Sequence, residues 1–211
     1  METKLRWSRF GEFLILYIGM PLVFYFDWIP LPKIVSLLLA AGLFVAILWF
    51  DSSFKLKHLL HYEPDKAPWI NIVNRTLMAA LATFTLVMLY NPDMLLAFPL
   101  EKPLVWLVVL LLYPLLSALP QELIYREFLF HRYKVLTNSD FQMMMLSALS
   151  FSLLHIIYDN FWAIWLSFLA GLLLSDTYRK TKSLYVVAVE HALYGIVVFT
   201  LGLGDFFYEP F

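Results

Sequence analysis

Cysteine is missing from the sequence, which excludes structural disulfides and any cysteine-ligated metal site. Charge is scarce as well. Lys, Arg, Asp and Glu make up 15% of the 211 residues against 62% hydrophobic, and the mean hydropathy of +0.75 leaves too little polar surface for a soluble domain of this length. The basic residues are spread out and the net charge is −1, so no face is set up for nucleic acid. Gly/Ser-rich linkers, low-complexity stretches and internal repeats are lacking, and the reading is one domain over residues 1–211. Lys4, Arg6 and Arg9 precede the first apolar run, but no small-residue cleavage site follows it. The run also holds Pro21 and Asp27, so it reads as a span and not as a secretory leader.

What is present is a series of long apolar runs. A transmembrane helix needs about 20 mostly apolar residues. Candidate spans cover residues 12–29, 34–50, 72–90, 104–119 with a polar continuation, 141–157, 161–178 and 184–200. The expected fold is therefore all-α, a multi-pass transmembrane helical bundle of about seven spans embedded in a lipid bilayer. If the fourth helix runs on to about residue 133 it reaches about 45 Å, enough to cross with strong tilt. Trp28, Trp49, Trp69, Tyr90, Trp106 and Trp162 lie near run ends, as interfacial anchors do.

The basic residues orient the bundle. Lys4, Arg6, Arg9, Lys55, Lys57, Lys66, Arg126, Arg132, Lys134, Arg179, Lys180 and Lys182 fall on one side, Lys33 and Lys102 on the other, and Arg75 inside the third run. Short Lys/Arg-rich loops stay cytoplasmic, which places the N-terminus inside and the C-terminal "GDFFYEPF" outside. With no eukaryotic targeting signal, the expected location is a prokaryotic plasma membrane. The long polar loop 51–69 reads as an interfacial connector. His58 and His61 in it lack a third ligand for a metal.

Ionisable groups inside a membrane cost about 2.5 to 3.5 kcal/mol each on insertion scales, so they mark either a site or a paired structural contact. That filter selects Glu122, Arg126 and Glu127 in "LPQELIYREF", then His155, then Glu190 and His191, with Arg75 and Asp176 as weaker cases. Glu122 and Arg126 are four residues apart with the acid first, the favourable helical order. Gln121 turns about 100° away from Glu122 and is free to face a cavity. Pro114 and Pro120 bracket the approach and can kink the helix. A purely structural polar knot fits this stretch as well as a site does. Two histidines on separate spans beside a carboxylate on a third tilt the balance, because together they offer a proton acceptor, an orienting partner and an oxyanion donor.

At these residues the sequence resembles the CPBP or Abi family of intramembrane proteases, which includes the CAAX prenyl endopeptidases and bacterial bacteriocin-processing and immunity proteins. The family carries Glu-Glu-x-x-x-Arg, Phe-x-x-x-His and His-x-x-x-Asn/Asp on separate helices. The counterparts here are Gln121, Glu122 and Arg126, then Phe151 and His155, then His191 and Gly195, within a motif-bearing half of about residues 104–200. The resemblance implies a glutamate-dependent endopeptidase that cleaves a membrane-anchored or lipidated protein or peptide, without a cofactor. It implies that position 121 is the general base, His155 its partner and His191 an oxyanion donor. Glu122 with Arg126 fixes the helix, and Arg126, Phe151, Tyr194 and Gly195 lie along the substrate.

Two positions depart from the pattern. Gln121 replaces the catalytic Glu, and a neutral amide cannot take a proton from water, so the expectation is an inactive Glu-to-Gln form of an otherwise active protease. A natural non-catalytic binding or immunity protein on the same scaffold, or transfer of the base role to Glu122, are the alternatives. Gly195 replaces the Asn or Asp and removes a donor, with Tyr194, Tyr158 or a backbone amide as substitutes. A zinc enzyme using Glu122, His155 and His191 is a further alternative, although no H-E-x-x-H pair exists. Along straight helices Gln121, His191 and His155 sit at different depths, so their convergence is an expectation from the resemblance alone.

Overall fold

The structure is a computed structural model that describes residues 2–63 and 68–207. Lys66 and residues 208–211, which belong to the inner basic set and the outer tail expected from sequence, lie outside the described residues. Helix α1 covers residues 2–25, α2 Lys33–Phe50, α3 Trp69–Tyr90, α4 Pro103–Arg132, α5 Asp140–Tyr158, α6 Phe161–Thr181 and α7 Leu184–Leu201. Among the described residues there is no strand.

Among the described residues, helices α2 to α7 are the six that are long and apolar enough to cross a membrane. The segment expected as the first of seven spans, 12–29, is helical only as far as Tyr25, with Asp27 in left-handed backbone, and it is not one of these six. Its contacts still reach from one end of the bundle to the other. Glu12 accepts from Arg132 at 2.7 and 3.0 Å at one end, and the Tyr25 hydroxyl meets Asp159 at 3.4 Å at the opposite end.

Local signals start and stop the last three helices. Ser139, Asn160 and Ser183 each accept a hydrogen bond from a backbone N–H in the first turn that follows, which caps α5, α6 and α7. Asp159 and Lys182 adopt left-handed backbone, φ 48° and 50°, just before the Asn160 and Ser183 caps. A helix end, a reversal and a new cap thus fit into two residues. Helices α5 and α6 then cross at close range, since a Cβ on Gly171 would stand 2.9 Å from the Ala148 Cα. Small residues permit such approach in lipid, where dispersion contacts and hydrogen bonds replace the hydrophobic drive.

At the end rich in basic residues, Arg132 joins Glu12 of α1 to Asp51, just beyond α2, at 3.0 Å from Asp51. Hydrogen bonds from Ser53, helped by the neighbouring His131 and a hydrogen bond from Arg132, hold the Asp51 carboxyl down at about 2.

Helix α4 contains wide π turns at Pro114–Ala118 and Leu123–Phe128, and α1 contains another at Ile15–Gly19. A π turn leaves backbone carbonyls to be satisfied from outside the helix, which in a membrane only protein groups can do. The Tyr17 hydroxyl donates to the Ile124 carbonyl at 2.6 Å and the Ser147 hydroxyl to the Tyr125 carbonyl at 2.7 Å. Ser175 extends this contact by donating to Ser147 at 3.0 Å.

Candidate active site

The polar stretch of α4 is enclosed on every side: residues 120–129 are buried without interruption. Glu122 and Arg126 are both fully buried, with the Arg126 Nε 3.1 Å from the Glu122 Oε2. The pairing expected from their spacing is present. Glu122 has a second partner that the spacing does not give, the His191 Nδ1 of α7 at 2.7 Å from its Oε1. An ionised carboxylate only accepts, so Nδ1–H donates and the His191 Nε2 is left for chemistry.

Phe151 is the hub of the cluster. The Arg126 guanidinium lies over its ring with Cζ at 4.5 Å from the centroid. The His155 and His191 rings meet it edge-on at 4.8 and 5.3 Å between centroids, and Tyr125 does so at 5.5 Å. A Phe four residues before a His thus becomes a ring in contact with two imidazoles. His155 ends the α-helical part of α5, where its Nδ1 lies 2.8 Å from the Phe151 carbonyl. A carbonyl cannot donate, so Nδ1 carries the proton and the His155 Nε2 presents a lone pair.

Gln121 stands apart from these groups. Its amide nitrogen donates to the Ser117 hydroxyl at 2.8 Å, while its side-chain oxygen is buried without a partner. Turning the amide over would only exchange which atom is orphaned. Gly195, one turn beyond His191, packs directly against Tyr113. Tyr194 points elsewhere: its hydroxyl donates to the Glu190 Oε1 at 2.6 Å. Glu190 belongs to a second buried cluster with Arg75 at 3.4 Å, and Arg75 in turn pairs with Asp176 at 2.7 Å. Three of the residues that the membrane-cost filter selects therefore form a structural network beside the site.

Glu127 forms a third polar group nearer the basic end. Its carboxylate is paired with the His58 Nδ1 at 2.7 Å and accepts from the Tyr178 hydroxyl at 2.8 Å. The His58 ring stacks on His61 at 5.4 Å, so these histidines tie the connecting loop to α4. For the zinc alternative, no three His, Asp or Glu side chains among the described residues gather closely enough to share an ion. Glu122 is already taken up by Arg126 and His191.

The four-residue steps 113, 117 and 121 place Tyr113, Ser117 and Gln121 along one strip of α4. Tyr113 and Ser117 escape a search for ionisable residues, though that strip was legible. Comparison with curated proteins and with solved structures returns no match. Over residues 103–197, which hold all three motifs and most of the polar contacts described above, the chain matches the model of the Rce1-like family, described as type II CAAX prenyl endopeptidase Rce1-like.

Proposed function

We propose that the protein is an intramembrane endopeptidase scaffold for a membrane-anchored or lipidated peptide substrate, with position 121 as the general base and Gln121 holding this chain in an impaired state. The observation that supports it most is the convergence of Glu122 and Arg126, His191, and Phe151 with His155 from three different helices in a buried site. A carboxylate at position 121 takes a proton from water, and the lone pair on the His155 Nε2 helps to orient that water. The hydroxide attacks the scissile carbonyl. His191, charged and held by Glu122, donates from Nε2 to the developing oxyanion, and the base returns its proton to the leaving amine. Phe151 and Arg126 keep this arrangement rigid. The basic end of the bundle faces the cytoplasm of a prokaryotic cell in this reading, which follows from the charge asymmetry of the loops.

Gln121→Glu is expected to raise turnover of a prenylated peptide in liposomes by about 10²- to 10⁴-fold, and adding His155→Ala is expected to remove that gain. Equal cleavage by Gln121→Glu with and without His155→Ala contradicts the assignment.

A second reading has its own support in the 2.7 Å contact between Glu122 and His191. A carboxylate on Nδ1 makes Nε2 the more basic nitrogen, so His191 is then the base and the chain is active with Gln at 121. A binding or immunity protein is the non-catalytic outcome of the same experiment: the peptide is held and no variant cuts it.

A further inference from the structure

Gly195 leaves the third motif without its polar side chain, yet the space beside it is filled. A Cβ placed on Gly195 would stand 2.5 Å from the Tyr113 hydroxyl oxygen. In an asparagine the amide nitrogen lies about 2.4 Å from its own Cβ by ordinary bond lengths. The phenol of α4 thus brings a donor to the radius at which the missing side chain would have carried one. We propose that the Tyr113 hydroxyl is the second oxyanion donor of this site, acting beside His191, and that Gly195 is the residue that admits it.

Further observations support this. The Tyr113 ring packs edge-on against His191 with 6.0 Å between centroids, so both groups border the same space. The contact of Tyr113 with Phe199 at 5.3 Å fixes its ring from the other side. No hydrogen bond joins the Tyr113 hydroxyl to another described residue, so its proton is available to a ligand. Tyr194, the neighbouring alternative, is committed to Glu190. A phenol suits the task because it is neutral in its resting state and donates along the ring axis without any change of charge. The role rests on the endopeptidase reading, since an oxyanion forms only if a carbonyl is attacked.

The test uses the full-length chain carrying Gln121→Glu, reconstituted in liposomes with a prenylated fluorogenic peptide. Adding Tyr113→Phe is expected to lower kcat by about 10²- to 10³-fold, the usual effect of losing one such donor, with KM and the thermal midpoint little changed. Gly195→Asn alone is expected to disturb packing, because its Cβ meets the phenol. The double change Tyr113→Ala with Gly195→Asn is expected to regain a large part of kcat, which a merely space-filling tyrosine does not predict. Full kcat in Tyr113→Phe, or a loss that the double change leaves unrepaired, overturns the donor role while the protease reading stands. If Gln121→Glu itself shows no turnover, the protease reading fails and the donor role falls with it.

Discussion

The two halves of α4 contrast sharply. In Pro103–Tyr113 no residue is buried, and Leu104, Leu111 and their neighbours face outward. Seven residues further on, the run 120–129 is buried on all sides and includes Gln121, Glu122, Arg126 and Glu127. One helix therefore passes from an environment where lipid is its solvent to one where the other helices are. Polar groups are affordable only in the second, because Tyr17, Ser147, Tyr178 and His191 reach in from four other helices to meet them. The lesson is that the polar half is not a defect in a transmembrane span but the part for which the bundle is assembled.

The largest expected break in this contrast comes from Arg126→Met. It strands Glu122 as a buried charge, and removing one partner of such a pair costs about 3 to 5 kcal/mol. The expected result is loss of the folded, monodisperse protein in detergent, with substantial recovery when Glu122→Gln is added. If Arg126→Met alone unfolds at the wild-type temperature, the pair is not what holds the polar half. A smaller effect is expected for Ser147→Ala, which leaves the Tyr125 carbonyl of the π turn without its donor. A destabilisation of about 1 kcal/mol in a thermal or denaturant titration is the expectation, and no change means that the turn is held by other contacts. At the far end of the scale, Leu111→Ala in the lipid-facing half should shift stability by less than about 0.5 kcal/mol. An effect as large as that of Arg126→Met would erase the distinction between the halves.

Much of this was written in the sequence. The apolar runs locate the helices, and the expectation that the fourth continues to about residue 133 agrees with its observed end at Arg132. Spacing alone pairs Glu122 with Arg126. The motifs name Arg126, His155 and His191, which meet around Phe151, but also Gln121 and Gly195, which do not. What was not legible depends on partners far along the chain. Glu122 binds His191 across 69 residues, and no local pattern carries that information. The second π turn of α4 is met by hydroxyls of Tyr17 and Ser147 on other helices, so no local pattern marks it. Glu190 was visible as a costly residue, but only the fold separates its cluster with Arg75 and Tyr194 from the site. The first helix was harder to classify, since its charges lower its hydropathy while its contacts still cross the bundle.

Side-by-side cleavage of one prenylated peptide by this chain and by its Gln121→Glu variant, in the same liposomes, tests the central claim most directly. Turnover that appears only in Gln121→Glu is the predicted result and makes position 121 the base of an intramembrane endopeptidase. Equal turnover in both would contradict it and move the base to His191 and Glu122.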